Sequence, residues 1–413
     1  MRIVMLSDNE SIGGAAIAAS RLAEALCGLG AEVIRIVGQT DWRNHPWTTE
    51  ILMTHREYLV MKAIGKVSTR VKTQAMGLLT SRRLGTLLAK LRPDIINVHN
   101  LHSAGWGPQL VGICARLAPT IWTLHDMWSF TGGCAYSYDC RKFISGCDAT
   151  CPSPREYPRP DPVTIARSWR LRRRLFAQYT NLTAVCPSDW LAREARAGLW
   201  SGHRVQVIPN GLPLDRYLPL NRELARSALG VSSERPVLLT AAQALTEQRK
   251  GGKIITEAIE NIQTRPFTLI TLGHGHLPIA AEGIDLFSLG HIDHERTLVL
   301  AYNAANLFVH PAPVDNLPNV VMEAIACGTP SAGFAVGGVP EMVRHGITGW
   351  LAHGVSARNL SRTVDGALAR IQQGADLRAS CRAVAEEEYG APLQAQRYLE
   401  LFRSIQRQSR PVC

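Results

Sequence analysis

Two carboxylates in the second half of the chain stand eight positions apart, on either side of a predicted helix start. Asp315 precedes the helix and Glu323 falls inside it, whereas Asn316 or Asn319 can cap the helix and Pro318 suits its first turn. The backbone N–H groups at a helix start favour phosphate oxygens, because the positive end of the helix dipole lies there. An ordinary capped helix with two solvated acids fits this short stretch equally well.

A nucleotide sugar would fill the space between these two acids. From about a turn and a half inside the helix, Glu323 can hold the hydroxyls of a ribose, and Asp315 can hold a second set of hydroxyls from the loop. The helix start between them suits two phosphates. A diphosphate flanked by two sugars is a nucleotide sugar, so we expect this class of ligand.

Cationic and small residues follow other predicted strands. Arg249 and Lys250 come after the first strand of the second half, where cations can neutralise a diphosphate leaving group. Gly13 and Gly14 follow the first strand of the chain, where the backbone can approach a ligand closely, although a plain tight turn is the simpler reading. Asp-x-Asp occurs nowhere in the chain. We therefore expect no divalent ion on the diphosphate and no cofactor for catalysis.

Histidines follow two successive predicted strands. His99 and His102 come after one strand, and His125 with Asp126 comes after the next. A single histidine at a strand end is usually structural. Two successive strand ends that bring histidines to the same edge of a sheet indicate a ligand site more strongly.

Four of the ten cysteines are clustered in a glycine-containing loop at residues 132–152. They are Cys134, Cys140, Cys147 and Cys151. Disulfides are rare in the cytosol, so four close thiols indicate a structural Zn²⁺ site. The spacing lacks paired Cys-x-x-Cys units, and four reduced thiols remain the alternative. An iron–sulfur cluster is a weaker alternative.

The elements that position these residues alternate short β-branched strands with amphipathic helices, which predicts parallel sheets covered on both faces. One series of strands ends at the turn signal at 209–213, and a second series follows. We expect an α/β fold with two doubly wound, Rossmann-like domains, 1–208 and 209–390, that face a central cleft. The last stretch, 391–413, should pack back on the first domain as a helix. The predicted strands are 3–6, 33–37, 95–98, 121–124, 182–185, 205–208, 237–240, 268–272, 286–289, 307–310 and 331–334.

Length and composition agree with two globular domains. A chain of 413 residues is too long for one core, and 46% hydrophobic with 19% charged residues is typical of a globular protein. No apolar run approaches the ~20 residues of a membrane span. The run at 3–6 is too short for the core of a signal peptide. We therefore expect a cytoplasmic protein.

The net charge of +11 is concentrated in two runs of the first half. Because apolar residues are interleaved with the basic ones, we expect peripheral contact with an anionic membrane, at the inner face of the cytoplasmic membrane. A merely solvated basic face is the alternative. No recognised nucleic-acid module is present, so nucleic acid is not an expected partner. The basic residues are Arg56, Lys62, Lys66, Arg70, Lys72, Arg82, Arg83, Lys90 and Arg92, and then Arg167, Arg170, Arg172, Arg173 and Arg174.

Taken together, these motifs resemble the retaining GT-B glycosyltransferases of family 4, above all the members that build exopolysaccharides of the colanic-acid type. The resemblance covers nearly the whole chain. The motifs that carry it are Gly13-Gly14, the run at 123–126, the run at 208–211, Arg249-Lys250-Gly251, the run at 315–330 and the run at 337–341.

The resemblance implies a role for each matching position. Glu323 holds the nucleotide ribose, Asp315 the donor-sugar hydroxyls, and Lys250 the diphosphate, whereas His125 lies beside the reacting face of the sugar. Asp315 stands where the family usually has Glu. The arginine usual a few residues before Lys250 is missing, and Arg249 is a candidate to replace it. The backbone turn that holds sugar and diphosphate matches Asn316, Leu317, Pro318 and Asn319.

The resemblance also implies transfer of a sugar, with retained anomeric configuration, to a glycan or lipid-linked acceptor in exopolysaccharide or cell-surface polysaccharide synthesis. The first domain would then bind the acceptor and the second the donor. A diphosphate oxygen can itself accept the acceptor proton, so no protein nucleophile is required. Two alternatives stay open. One is a GT-B-fold sugar-nucleotide epimerase, and the other is a non-catalytic subunit that binds nucleotide sugar.

Overall fold

A computed structural model of the chain describes residues 1–41, 43–52, 54, 56, 57, 59, 60, 63, 69–158, 161–232 and 234–409, with the backbone alone at 69–74 and 409. Lys62 and Lys66 of the first basic run lie outside the described residues. One compact unit holds Met1–Pro209 and the described residues from Pro392 onward, and the other holds Asn210–Ala391. None of the described helices is both long and apolar enough to cross a lipid bilayer.

The first unit is built on a seven-stranded parallel sheet. Its strands are β1 (Arg2–Asn9), β2 (Glu32–Gln39), β3 (Thr48–Ile51), β4 (Ile95–Val98), β5 (Thr120–Thr123), β6 (Thr183–Cys186) and β7 (Arg204–Val207). They lie in the order β3-β2-β1-β4-β5-β6-β7. The helices of this unit are Gly14–Gly28, Thr69–Leu91, Gln109–Leu117, Lys142–Ser145, Ile165–Gln178, Asp189–Ala197 and Ala391–Ser409.

Strand β1 is buried on both of its faces. Val4 and Leu6 pack into one apolar cluster, whereas Ile3 and Met5 pack into another, and all four side chains are fully buried. The second cluster includes Tyr398 of the last helix. The continuous apolar run at the start of the sequence is therefore that of a central parallel strand with helices on both sides.

The second unit has a six-stranded sheet, and it too is parallel throughout. Its strands are β8 (Val237–Ala244), β9 (Phe267–His274), β10 (Ile284–Gly290), β11 (Leu307–His310), β12 (Ser331–Phe334) and β13 (Gly349–Ala352), in the order β10-β9-β8-β11-β12-β13. Its helices are Arg222–Leu229, Gly252–Glu260, Glu295–Ala304, Asn319–Ala326, Val339–Met342, Ala357–Gln372 and Arg378–Glu388.

The strand order reverses once in each sheet, between β1 and β4 in the first unit and between β8 and β11 in the second. In doubly wound sheets, ligands bind outside the carboxyl ends of the strands at such a point. His99 follows β4 there, and Lys250 and Asp315 follow β8 and β11. The predicted α/β class with two doubly wound, Rossmann-like units is confirmed.

Candidate functional site

The Asp315 carboxylate is the centre of a charged cluster beyond the end of β11, and only 5% of the residue is exposed. The Lys250 ammonium donates a 2.8 Å hydrogen bond to Oδ2, and Nε2 of His310 lies 3.5 Å from the same oxygen. The Asn316 backbone N–H donates to Oδ1 at 3.0 Å. Burial opposes the ionisation of Asp315, but Lys250 and His310 outweigh it and hold the pKa of Asp315 far below its usual range. The cluster therefore has a permanent negative charge that fixes the Lys250 ammonium.

His310 is a functional candidate that the sequence analysis missed. It is 3% exposed, its Nε2 makes only the 3.5 Å contact with Asp315, and its Nδ1 has no hydrogen-bond partner among the described residues. Buried polar groups are normally hydrogen-bonded, so this ring marks a place where a ligand can complete the bonding. Its one signal in the sequence is its position as the last residue of the predicted strand 307–310.

Glu323 lies inside the helix Asn319–Ala326, as predicted, and is only 6% exposed. The hydroxyl of Tyr302, which is fully buried, donates a 2.8 Å hydrogen bond to Oε2 of Glu323. This bond orients the carboxylate before any ligand is present. Tyr302 is a second partner that the spacing of the motif did not reveal.

The start of this helix differs from the prediction. Pro318, with φ −66° and ψ 122°, occupies the position before the first helical residue, and it has no side-chain oxygen to cap the helix. Capping by Asn316 or Asn319 stays a prediction. Leu317 packs into the apolar core of the unit.

Two glycines allow the loops around Asp315 to touch. Gly251 has φ +80°, and a Cβ there would lie 2.1 Å from the carbonyl oxygen of Pro311. Gly337 has φ +59°, and a Cβ there would lie 2.0 Å from the carbonyl oxygen of Asp315. Side chains are excluded at both positions, so the turn that carries Lys250 packs directly on the chain that follows β11.

Arg249 is engaged elsewhere. Its guanidinium lies 3.0 Å from Oε1 of Glu247, and its side chain is 18% exposed. Lys250, the next residue, is the one that contacts Asp315. The replacement of the missing family arginine by Arg249 stays a prediction.

In the first unit, a chain of hydrogen bonds leads to His125. The Asn97 Nδ2 group donates to Thr123 Oγ1 at 2.9 Å, so its Oδ1 must accept from Nε2 of His99, also at 2.9 Å. Nδ1 of His99 is then an acceptor, and Nε2 of His125 donates to it at 2.9 Å. The network assigns the tautomer of His125, whose Nδ1 is left as an acceptor. The Thr123 hydroxyl also lies 2.9 Å from the hydroxyl of Tyr398 on the last helix.

Both linked histidines are neutral at neutral pH. Burial lowers the pKa of His125 to about 4, and burial with the neighbouring His125 takes the pKa of His99 well below its usual range. His102 behaves differently, because Asp126 lies 3.0 Å from its Nε2 and raises its pKa despite burial. His125 is thus suited to accept a hydrogen bond from a sugar hydroxyl.

We expect acid to destabilise the first unit through His125. Histidine in an unfolded chain titrates near pH 6.5. Between about pH 6.5 and 4, His125 is therefore protonated in the unfolded chain but neutral in the folded protein. Stability is therefore lost as the pH falls through this window, by about 2 kcal/mol from His125 between pH 7 and 5. Denaturant unfolding followed by tryptophan fluorescence measures it, since eight of the nine tryptophans lie in the first unit. His125→Gln should show a smaller loss, and an equal loss would assign the effect to other groups.

The predicted glycine pair lies where β1 meets its helix. Gly13 has φ +93° and precedes the helix Gly14–Gly28, and nothing lies within 4 Å of the position that a Cβ would occupy. The backbone there is open to a ligand. The requirement for glycine at this position comes from the φ angle alone.

The second basic run forms an exposed face of the helix Ile165–Gln178, with one exception. Arg172 is 3% exposed, and its guanidinium lies 4.3 Å from the ring centroid of Trp128. The prediction that Arg172 belongs to a basic surface is therefore wrong, because its side chain packs into the unit. In the first run Arg83 is bound to Glu57. The exposed members of the second run are Arg167, Arg170, Arg173 and Arg174.

The four clustered cysteines all line one cavity and are half-buried. Burial raises the pKa of Cys134 to about 12 and that of Cys147 to about 11. Without a metal, Cys134 and Cys147 are therefore protonated at neutral pH, and neither is indicated as a catalytic thiolate.

Comparison with known proteins places the two units in one family. Residues 12–216 match the family model described as Glycosyltransferase Family 4, and residues 235–370 match the model described as Glycosyl transferases group 1. The chain is 27% identical over 262 residues to WcaC of Escherichia coli (strain K12), which is named as a colanic acid biosynthesis glycosyl transferase. It is 27% identical over 313 residues to a D-inositol 3-phosphate glycosyltransferase of Actinosynnema mirum. These matches cover 59% and 70% of the chain and span 60% and 69% of the two relatives.

Solved structures share the fold over almost the whole chain. Sucrose-phosphate synthase from Thermosynechococcus elongatus matches with a TM-score of 0.71 at 19% identity, covering 99% of this chain and 100% of its own. Anabaena HepE in complex with UDP-glucose matches with a TM-score of 0.68 at 16% identity, covering 98% and 100%. Since the two family models extend over most of both units and the fold agrees throughout, the chain belongs to the family 4 glycosyltransferases and has the GT-B fold.

Proposed function

We propose that this glycosyltransferase moves a sugar from a nucleoside-diphosphate sugar to a glycan or lipid-linked acceptor, with retention of anomeric configuration. The observation that carries the proposal is the cluster of Lys250, His310 and buried Asp315 beside a helix start, with Glu323 inside that helix. It combines a cation for a diphosphate with two oriented carboxylates for hydroxyls. The UDP-glucose complex of HepE supports a donor of this class.

Each donor group has a matching partner in the second unit. The diphosphate lies at the start of the helix Asn319–Ala326, where Lys250 and the helix dipole neutralise its charge. Glu323 accepts hydrogen bonds from the ribose, and Asp315 from the sugar. His310 supplies a further ring nitrogen, because its Nδ1 lacks a partner within the described part of the chain. Arg249, beside Lys250, is the candidate to replace the family arginine.

The reaction needs no protein nucleophile. Asp315 is ionised, but its Oδ2 is engaged by Lys250, and Oε2 of Glu323 is engaged by Tyr302. A leaving diphosphate oxygen on the same face as the acceptor hydroxyl takes the acceptor proton, so the configuration is retained. Lys250 stabilises the departing charge without a metal ion. The first unit would bind the acceptor, and its Gly13, Gly14 and neutral His125 are the residues proposed to contact the acceptor or the transferred sugar.

The acceptor class follows from surface charge and from the relatives. Four exposed arginines of the helix Ile165–Gln178 lie on one unit with no described membrane-crossing helix. Such a face suits the anionic inner leaflet, where it would place a cytoplasmic enzyme beside a lipid-linked acceptor. The name of WcaC supports a role in exopolysaccharide or other cell-surface polysaccharide synthesis.

Donor binding and transfer can be tested separately. A thermal-shift series with UDP-, GDP- and ADP-sugars should give one clear shift, because a ligand that binds only the folded state raises the melting temperature. Incubation of that donor with lipid-linked acceptors should yield a product whose anomeric proton shows retention by NMR. Free nucleotide and altered sugar without acceptor would instead indicate an epimerase. Donor binding with no turnover on any acceptor would indicate a non-catalytic subunit.

A further inference from the structure

The segment between β5 and the helix Ile165–Gln178 is long and irregular. From Leu124 to Asp161 its described residues contain one regular helix, Lys142–Ser145. Such a segment has few backbone hydrogen bonds of its own, and small irregular regions are commonly held by a disulfide or a metal. The structure has no disulfide here, since all four cysteines of the segment are free thiols.

The cysteines of this segment surround a single small cavity. Its volume is ≈ 20 Å³, which is room for one ion or water molecule. Phe143 and Ile165 close the cavity on its apolar side. The four cysteines in its wall are Cys134, Cys140, Cys147 and Cys151. Four sulfur ligands around one centre are a preferred set for structural zinc.

A buried cation next to the cavity has no ion-pair partner among the described residues. Arg172 is 3% exposed, and its Nε has no hydrogen-bond partner there either. Cys134, Cys147 and Asp126 are the groups close enough to act on its charge. Asp126 is already paired with His102. Four thiolates around Zn²⁺ carry a net double negative charge, which would offset the cost of burying this guanidinium.

One cysteine already has a hydrogen-bond partner that metal-bound sulfur favours, because the Gly132 backbone N–H bonds to the Cys147 thiol. The Thr131 hydroxyl instead donates to the backbone carbonyl of Cys134 at 2.6 Å. A Cβ at Gly132 would lie 2.8 Å from the Cβ of Cys147 and 2.6 Å from Cγ2 of Ile165. Only glycine lets the backbone approach this closely. Such bonds around the ligands orient them for the metal.

A second set of candidate ligand atoms is mostly hydrogen-bonded within the protein, although Oδ2 of Asp41 has no partner among the described residues. Glu10, Asp41 and His45 are the one group among the described residues whose ligand atoms lie within 4.8 Å of one another. The Glu10 carboxylate already accepts hydrogen bonds from four donors, and Arg35 compensates its charge. The cysteine sulfurs are spread around their cavity, so binding would draw the irregular segment inward, as metal binding coupled to folding does.

We propose that Cys134, Cys140, Cys147 and Cys151 hold one structural Zn²⁺, with buried Arg172 as the charge partner of the site. The zinc would fix the segment that carries Asp126 and Trp128, directly after His125. Arg172 connects the two regions, because its guanidinium lies over Trp128, whose backbone N–H donates to Asp126 Oδ1 at 2.8 Å. The role is structural, and the proposal stands independently of the donor and acceptor.

Metal analysis of the full chain tests the site. Protein made in zinc-supplemented medium and purified under reducing conditions without chelator should contain about one zinc per chain. The double variant Cys140→Ser/Cys147→Ser should lose it. Cys27→Ser is the matched control, because Cys27 is also a half-buried free thiol but lies outside the cavity, and it should keep the zinc.

If the double variant does not fold, cobalt substitution of the wild-type chain tests whether the four cysteines bind the metal. Co²⁺ in the site should give the intense visible absorption of a tetrahedral centre and a sulfur-to-cobalt charge-transfer band in the near ultraviolet. Zinc-free wild-type protein, zinc retained by a folded double variant, or the absence of that charge-transfer band would overturn the proposal. Iron with acid-labile sulfide in the wild type would overturn it in favour of a cluster.

Discussion

Replacing Lys250 with alanine should lower kcat by about 10²–10³-fold and weaken donor binding far less. The ammonium faces a diphosphate whose negative charge grows as the sugar bond breaks, so the interaction is stronger in the transition state than in the bound donor. Asp315 holds Lys250 at 2.8 Å in a largely buried cluster, where such interactions are least screened. Single-turnover rates at saturating donor measure the first quantity, and calorimetric Kd values measure the second.

Lys253→Ala is the matched control for this prediction. Lys253 lies in the helix Gly252–Glu260, just after the turn that carries Lys250. Its side chain is 85% exposed and pairs with Glu257 of the same helix, so its removal should leave both quantities unchanged. Lys250→Arg keeps a cation beside the buried Asp315 and separates lost catalysis from lost stability. Equal losses in kcat and donor affinity for Lys250→Ala would make the lysine a binding residue instead.

Glu323→Gln should weaken donor binding by about 10–100-fold without unfolding the chain. A hydrogen bond to a charged group contributes about 1.5–3 kcal/mol, and each 1.4 kcal/mol is tenfold in Kd. The amide preserves the volume of the side chain, and its oxygen can still accept from the Tyr302 hydroxyl. The loss should therefore come from the ribose and not from the core. Calorimetry with the preferred nucleoside diphosphate measures it.

The ligand provides a sharper control than a second variant. A 2′-deoxy nucleoside diphosphate lacks one of the hydroxyls that a carboxylate at this position can accept from. Wild-type protein should discriminate against it, and Glu323→Gln should discriminate less. A variant Kd within about twofold of the wild type would remove Glu323 from the ribose site. Equal discrimination by both proteins would assign the loss to the 3′-hydroxyl or to the sugar.

The sequence predicted the centre of each sheet better than its edges. Buried parallel strands such as β1 and β11 are short continuous apolar runs between turn signals, and such runs can be recognised from the local sequence alone. The strands β3 (Thr48–Ile51) and β13 (Gly349–Ala352) were missed. Strand β3 has the sequence Thr-Thr-Glu-Ile and is only half-buried at an edge, and β13 begins with glycine. Strand β3 has no apolar run, and the apolar run of β13 is only Trp-Leu-Ala, so pairing with a neighbouring strand decides the structure of both.

The residues of the candidate site also fall into those that the sequence predicted and those that it did not. Asp315 and Glu323 share one local motif, so their spacing was informative without any structure. His310 and Tyr302 carried no such signal, because each acquires its meaning from a partner in another element. Arg172 was misassigned for the same reason, since a basic run does not reveal which of its members turns inward.

The packing of the last helix, which carries Tyr398, on the first sheet affects how the chain folds during its synthesis. The last helix covers one face of the first sheet, yet the ribosome reaches Tyr398 only after the whole of Asn210–Ala391 has been synthesised. At about 5–20 residues per second, the first unit waits roughly 10 to 40 seconds with Ile3 and Met5 uncovered. Domains fold as units. The second unit starts to be synthesised later, but its synthesis is complete before that of the last helix of the first unit. The order in which the two units mature is the reverse of the order in which translation begins them.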